Sequence, residues 1–209
     1  MILTNKGLDL PISGAPSADI DSSTTINTIA ILGPDYVGLK PTMLVKEGDT
    51  VSSGQKLFED KKNPGTYITS PSSGVVESIN RGEKRRFLSI TIDVDDSIEP
   101  TKFIAADYET PVKFLVDTGA LSYFKTRPYN RIPNKEDLPN AIFINACDTN
   151  PLAIDPFYLV KEDQELFNSG LAYISSINKD AKTYCAFQND DFDQSVEGIN
   201  YNQFNGPHP

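Results

Sequence analysis

The sequence contains no tryptophan, one histidine (His208) and two cysteines, Cys147 and Cys185. Two cysteines so far apart do not make a disulfide framework or a zinc site, and an iron–sulfur cluster usually takes four ligands. With a single histidine, the other common ligand of transition metals is scarce as well. We therefore expect no metal site built by these residues.

Positive charge is also in short supply. The 19 Lys and Arg residues are outnumbered by 29 Asp and Glu residues, which gives a net charge of −10. A nucleic-acid-binding protein needs a basic surface, so we expect no nucleic-acid partner. The one basic cluster, residues 81–86 (RGEKRR), occurs where a hairpin is expected, and we interpret it as a solvated turn.

Long apolar runs are missing too. Residues 1–6 lack the apolar core of a signal peptide, and no stretch is long enough to span a membrane. These features predict a soluble, cytoplasmic protein with no direct membrane span. Any membrane role would depend on a partner.

The most regular pattern in the sequence is a series of short strands and glycine turns over residues 37–92. Gly48, Gly54 and Gly74 stand in the turns, and β-branched or aromatic residues fill the segments between them. Glycine supplies the positive φ that tight turns need, so the pattern predicts small interlocked sheets. The string V-x-x-G-D-x-V-x-x-G-Q, followed by S-P-x-S-G-x-V, resembles the biotinyl/lipoyl-like barrel-sandwich fold.

Two further segments flank this series. Thr28–Leu32 is a predicted buried strand. Thr110 is a predicted N-cap with Pro111 in the first helical turn, where the missing N–H costs nothing. Gly119 should end that helix, with another short helical turn over residues 120–124.

The second half of the chain predicts a parallel α/β sheet. Residues 141–147 form a continuous apolar run, typical of a strand covered on both faces, and residues 183–187 are a second buried strand. Between them, residues 161–178 have the spacing of an amphipathic helix. We expect its inner side to carry Leu166, Phe167, Leu171, Ile174 and Ile177. The strand–helix–strand order is the unit of a parallel sheet.

The predicted fold class is therefore α+β or α/β, with two domains. We place the barrel-sandwich domain and its N-terminal extension at residues 1–97 and a partial Rossmann-like α/β domain at residues 98–209, because the composition turns acidic at residues 93–100. One βαβ unit does not close a sheet, and the polar residues after Phe187 form no cap. We therefore expect a fragment whose α/β domain is truncated at its C-terminus.

Two places could carry chemistry. Lys61 and Lys62 follow a barrel strand, where a lipoyl or biotinyl carrier domain would present its modified lysine; an unmodified hairpin is the alternative. Asp148 and Asn150 follow the first sheet strand, at the edge where open α/β sheets bind ligands, unless they form only a local Asx turn. Residues 117–128 contain one glycine and bulky neighbours, so they do not predict a nucleotide site.

Seven strings carry a resemblance over nearly the whole chain: GLDLPI (7–12), YVGLKPTM (36–43), LFEDKKNPG (57–65), NRGEKR (80–85), TRP (126–128), DTNPLA (148–153) and GPHP (206–209). In this order they resemble the NqrA family, the A subunits of the bacterial Na+-translocating NADH:quinone oxidoreductase. More distantly, the chain resembles the C subunit of the Rnf-type electron-transport complex and the flavin-bearing NADH subunit of respiratory complex I. Members of the NqrA family are much longer, which agrees with a fragment.

The resemblance implies a peripheral subunit on the cytoplasmic face of a six-subunit complex in the bacterial inner membrane. That complex is a translocase that passes electrons from NADH to ubiquinone and exports Na+. Flavins and an iron–sulfur centre lie in its other subunits, while NqrA is linked to quinone. FMN-binding relatives use a glycine-rich loop where this chain has residues 119–125 (GALSYFK), so we expect no cofactor in this fragment.

Ubiquinone is then the expected ligand, in a pocket of aromatic and aliphatic side chains with a few polar groups. The candidate contacts are Tyr123, Phe124, Arg127, Asp148 and Asn150. We expect no catalytic residue and no catalysis by the isolated fragment. A lipoyl or biotinyl carrier domain, or a purely structural docking module, are the alternative functions.

Overall fold

The computed structural model describes residues 1–3, 6–7, 10–14 and 16–206. The chain forms two compact units, one of Ser22–Asp137 and one of Met1–Asp21 with Leu138–Pro209. The predicted boundary between sequence domains at residue 97 stays a prediction. His208, part of the GLDLPI string and most of the GPHP string lie outside the described residues.

Eleven strands and three α-helices are assigned in the described part of the chain. The strands are β1 Ile2–Leu3, β2 Thr28–Leu32, β3 Pro41–Met43, β4 Thr50–Val51, β5 Lys56–Asp60, β6 Tyr67–Thr69, β7 Gly74–Arg81, β8 Phe87–Val94, β9 Ala141–Ala146, β10 Lys182–Phe187 and β11 Ile199–Asn205. The helices are α1 Pro111–Asp117, α2 Phe157–Val160 and α3 Gln164–Ser175.

We call the unit of Ser22–Asp137 the barrel unit. It is built on two small antiparallel sheets, of order β2-β8-β7-β4 and β3-β5-β6. The predicted turns are confirmed: Gly48 and Gly54 have φ of +86° and +83°, which L side chains adopt at a cost. The basic cluster is the turn between β7 and β8, as predicted. Both sheets contribute to one apolar core, whose fully buried members include Leu57, Phe58, Val76, Ile90 and Ile92.

Helix α1 belongs to the same unit, and both of its predicted ends are confirmed. The Lys113 N–H donates to Thr110 Oγ1 at 3.2 Å, which caps the first turn. Gly119 follows the helix in the left-handed conformation (φ +77°), and a 3-10 turn, Ala120–Tyr123, comes next. A side chain at Gly119 would collide with Thr69, whose hydroxyl donates to the Thr118 carbonyl at 3.1 Å. The end of α1 therefore fits closely against strand β6.

We call the other unit, Met1–Asp21 with Leu138–Pro209, the α/β unit. It contains a parallel four-stranded sheet of order β1-β11-β10-β9. Helix α3 packs on one face, and the buried cluster there contains Ala146, Leu171, Cys185, Phe187 and Phe192. The predicted parallel pairing of the segments now called β9 and β10 is confirmed.

Two predictions for this unit were wrong, and one strand was not predicted. Strand β9 was expected to be buried on both faces, yet its Phe143 is 70% exposed. The predicted helix over residues 161–178 is shorter, since α3 begins at Gln164 after a separate 3-10 turn, and Leu166 is 72% exposed rather than on its inner side. No element was assigned to residues 199–205 from the sequence, and they form β11, with β1 beyond it at the edge of the sheet.

We predict that two leucines of α3 differ sharply in their effect on stability. Leu171→Ala should lower the free energy of unfolding of the α/β unit by about 2–5 kcal/mol, because it leaves a cavity at a side chain that is 2% exposed. The same substitution at Leu166 should cost less than about 0.5 kcal/mol. Hydrogen exchange of the β10 amides measures both values, and equal effects would contradict the packing described here.

Candidate functional site

A cleft of about 310 Å³ opens on the unit of Ser22–Asp137. Three separate stretches of the chain form its walls: residues 36–39, the turn after β5, and residues 126–137. The lining combines the aromatic and aliphatic side chains of Tyr36, Leu39, Tyr129 and Ile132 with charged groups. Such a mixture is typical of small-molecule sites.

Asp60, the last residue of β5, holds two of these walls together. Its side chain is largely buried, and Oδ1 accepts hydrogen bonds from the N–H groups of Lys40 (3.1 Å) and Lys62 (3.0 Å). The Lys61 N–H donates in turn to the Lys40 carbonyl at 2.9 Å. The backbone of the lysine-bearing turn is therefore fixed to the neighbouring stretch, while the Lys61 and Lys62 side chains are exposed.

Asn63 connects the same turn to the third wall. Its Nδ2 donates to the Pro133 carbonyl at 2.9 Å. In the described part of the chain, its Oδ1 is buried and has no hydrogen-bond partner. Unpartnered buried oxygens are uncommon because their desolvation is not compensated. Asn63 therefore places one unsatisfied acceptor in the wall of the cleft.

The third wall is a compact loop. The N–H and the hydroxyl of Thr126 both donate to the Arg131 carbonyl, at 2.8 and 3.0 Å. Between them, the Arg127–Pro128 peptide bond is cis. Tyr129 and Arg131 of this loop line the cleft.

Tyr36 and Lys125 meet beside the cleft. The Lys125 Nζ lies 5.0 Å from the centre of the Tyr36 ring. Burial raises the pKa of the Tyr36 phenol, with smaller contributions from Tyr123 and Asp35. Burial also lowers the pKa of Lys125, although Asp35 opposes that shift. Both groups are pushed toward their neutral forms.

The five residues predicted to contact quinone fall into two groups. Tyr123 (81% exposed), Phe124 and Arg127 lie on one segment that leads into the cleft loop. Asp148 and Asn150 belong to the other compact unit, in the turn after β9. There Asp148 Oδ1 accepts from the N–H of Asn150 at 2.9 Å and from its side-chain amide at 2.7 Å, which is the Asx turn considered as the alternative.

The two cysteines belong to the α/β unit. Cys185 is fully buried in its core, and burial raises the pKa of its thiol to about 11, with Cys147 adding to the shift. Burial also raises the pKa of the Cys147 thiol, helped by Asp148 and Asp155. Among the described residues, no group of three or more His, Cys, Asp or Glu side chains could hold a metal ion.

Two family models match consecutive parts of the chain. One, described as the NqrA N-terminal barrel-sandwich hybrid domain, matches residues 2–95. The other, described as the NqrA second alpha/beta domain, matches residues 106–209. The chain belongs to the NqrA family. The predicted resemblance and the predicted fold class are thereby confirmed.

Members of the NqrA family are similar to this chain along its entire length. The A subunit of the Na(+)-translocating NADH-quinone reductase from Actinobacillus pleuropneumoniae (serotype 5b) is 43% identical over 100% of the chain and 49% of the relative. The protein of that name from Photorhabdus laumondii is also 43% identical, and one from Yersinia pseudotuberculosis is 41% identical, each with 48% of the relative covered. The chain thus spans about half the length of the curated relatives it matches.

Sequence reasoning missed the cleft residues Tyr36, Asn63 and Arg131. A signal was present, since the strings at 36–43, 57–65 and 126–128, which resemble the NqrA family, all contribute to the cleft. No periodicity relates stretches so far apart, so their meeting could not be inferred. The described part of this NqrA-family chain also has no helix long and apolar enough to cross a membrane.

We predict that Asp60 supports the cleft through its acceptor oxygen. Asp60→Ala should lower the free energy of unfolding of the barrel unit by about 1.5–3 kcal/mol, because two hydrogen bonds to a charged acceptor are lost. Asp60→Asn keeps an oxygen at the same place and should cost less than half as much. Urea denaturation of the three proteins measures the difference. Equal losses for both variants would show that the charge, and not the acceptor geometry, matters.

We also predict that the two thiols react at very different rates. A pKa of about 11 leaves Cys185 with about 100-fold less thiolate at pH 8 than its ordinary pKa would, and its burial adds a steric barrier. A thiol reagent should modify Cys147 in the native chain and Cys185 only after denaturation. Mass spectrometry of the labelled peptides identifies each site. Rapid native labelling of Cys185 would contradict its place in the core.

Proposed function

We propose that the chain is the first half of the NqrA polypeptide in a Na+-translocating NADH:ubiquinone reductase. It would then lie at the cytoplasmic face of the bacterial inner membrane, as a peripheral member of a six-subunit complex that couples electron transfer to Na+ export. The observation that carries the proposal is the match of two consecutive NqrA domain models, supported by relatives of 39–43% identity over the whole chain. The other subunits of that complex are its partners.

Within this complex the fragment acts mainly as a scaffold. Flavins and an iron–sulfur centre in other subunits carry the electrons, so no residue of this chain is assigned a catalytic role. The barrel unit and the α/β unit supply rigid surfaces on which other parts of the complex are positioned.

We further propose that the cleft of the barrel unit contacts the head of ubiquinone. A quinone head is a flat apolar ring with two carbonyl acceptors, and the cleft offers Tyr36, Tyr129 and Ile132 as walls with Lys62 and Arg131 as donors. Its volume of about 310 Å³ is at the lower end of the range for small-molecule pockets. The predicted contacts Tyr123, Phe124 and Arg127 would then form its approach.

Asp148 and Asn150 are proposed as a second, separate contact. Their Asx turn uses Asp148 Oδ1 locally. Both side chains are exposed at the carboxyl end of β9, where parallel sheets bind ligands.

Protein-observed NMR with a short-chain ubiquinone analogue tests the quinone contact. We expect shift changes at Tyr36, Tyr129 and Arg131, and a binding constant that weakens about 10-fold in Arg131→Gln, because a charged donor to a quinone oxygen is removed. Arg86→Gln, at an exposed arginine of the β7–β8 turn, is the matched control and should bind like the unchanged chain.

Each other outcome has a definite meaning. Shifts confined to Asp148 and Asn150 would move the contact to the α/β unit. No binding by this chain would remove quinone from this half of the polypeptide and leave the docking module as its function. A lipoyl or biotinyl mass on Lys61 or Lys62 would instead establish the carrier domain.

A further inference from the structure

The turn between β7 and β8 concentrates positive charge in an acidic chain. Residues 81–86 (RGEKRR), which we call the basic tip, contain four of the 19 basic side chains and one acidic side chain. All four basic side chains are exposed: Arg81, Lys84, Arg85 and Arg86. Both ion pairs found in the described part of the chain lie elsewhere. The basic tip therefore presents positive charge to solvent, although the chain as a whole carries a net charge of −10.

The backbone of the basic tip is held in a strained turn. The Gly82 N–H donates to the Arg86 carbonyl at 2.8 Å, and the Arg85 N–H donates to the Gly82 carbonyl at 3.1 Å. Lys84 and Arg85 have φ of +53° and +61°, in the left-handed region that Gly and Asn adopt most easily. Tight hairpin turns usually carry Asn-Gly where φ is positive. The sequence thus places two cations where uncharged residues would fold at lower cost, and such strain is typical of functional positions.

The chemistry of the basic tip favours a layer of lipid headgroups over a protein surface. The core of a protein interface is poor in charged residues, whereas residues 81–86 contain no apolar side chain. An anionic membrane surface attracts basic side chains through charge alone, and clusters of four or more are typical of such contacts. Each Lys or Arg near the surface strengthens binding about fivefold. Lys46 lies beside Arg81 in the wall of a shallow depression, together with Glu47, and adds a fifth cation.

The distribution of charge along the hairpin would orient it at an anionic surface. The basic tip joins two eight-residue strands, Gly74–Arg81 and Phe87–Val94. The exposed carboxylates of Asp93, Asp95 and Asp96 lie at the other end of the second strand, roughly 20 Å away at 3.3 Å per residue. At physiological ionic strength, charges are largely screened beyond about 8 Å. These carboxylates therefore weaken the attraction of the basic tip very little.

We infer that the basic tip contacts the anionic phospholipid headgroups of the membrane that carries the complex. The inference rests on the proposed function, because it needs a peripheral subunit held close to a bilayer. The contact is weak by itself, since it depends on only four or five cations. Attachment to the other subunits raises the effective concentration of the headgroups, so a weak contact suffices to orient the barrel unit.

Co-sedimentation of the 209-residue chain with lipid vesicles tests this inference. We expect binding to phosphatidylcholine vesicles that contain about 30% phosphatidylglycerol, and none to phosphatidylcholine alone. Raising the salt concentration from about 0.05 M to about 0.3 M should weaken binding at least about 10-fold, because the contact is electrostatic.

The double substitution Lys84→Asn with Arg85→Gly separates binding from folding. It should weaken vesicle binding about 10- to 25-fold, because two cations are removed. It should also raise the urea midpoint of the chain, because Asn and Gly suit the left-handed backbone at these positions. The charge-conserving pair Lys84→Arg with Arg85→Lys should bind within about 2-fold of the unchanged chain.

The matched control removes two equally exposed lysines from other parts of the chain. Lys102→Gln with Lys179→Gln changes the net charge by the same amount, and neither residue belongs to the hairpin. This variant should bind the anionic vesicles within about 2-fold of the unchanged chain, because only charges near the surface contribute.

Four results would overturn the inference: no binding to the anionic vesicles, equal binding to phosphatidylcholine alone, salt-independent binding, or equal losses in the Lys84/Arg85 variant and the control. Binding to polyglutamate but not to the vesicles would assign the basic tip to an acidic protein segment instead. The assay contains no quinone and no other subunit. Its failure therefore leaves the proposed quinone contact standing, and an absence of quinone-induced NMR shifts would leave the vesicle result standing.

Discussion

The carboxylate of Asp60 is kept largely out of water, and the cleft depends on how that burial is compensated. A buried charge is costly unless it is hydrogen-bonded, and here the N–H groups of Lys40 and Lys62 supply those bonds. The requirement fixes the turn after β5 against the stretch before β3. Asn63 can then reach Pro133, 70 residues later, and join the third wall. The hydrogen bonds of one buried carboxylate and of the amide three residues later thus hold together three stretches that are distant in sequence.

Those features of the fold that depend on neighbouring residues could be predicted from the sequence. The glycine turns at Gly48 and Gly54 and both ends of α1 follow from backbone preferences that act within a few residues. Strand β11 could not be recognised, because Asn and Gln fill positions where strands usually carry β-branched residues. The exposure of Phe143 was also unpredictable, since an apolar residue is the same in the sequence whether or not a layer covers it.

The candidate site also depends on contacts between residues far apart in sequence, which the sequence pattern does not show. The resemblance directed attention to Tyr123, Phe124 and Arg127, and the structure places them beside a cleft that the sequence pattern did not reveal. The contacts that build the cleft join residues 20 and 70 positions apart, and such pairings leave no periodic trace. Asp148 and Asn150 were correctly placed after β9, and the hydrogen bonds between them join residues only two positions apart. Short-range chemistry was predictable, whereas the long-range assembly was not.

The pairing of β1 with β11 has a consequence for synthesis on the ribosome. Ile2 lies opposite Phe204 in the sheet, so the α/β unit contains residues from both ends of the chain, while the barrel unit is continuous between them. During translation the barrel unit can fold as soon as residue 137 has emerged. The first strand must wait, unpaired, until β11 appears almost 200 residues later. The barrel unit therefore folds before the α/β unit, whose residues lie on both sides of it in the sequence, and the parallel sheet is completed last.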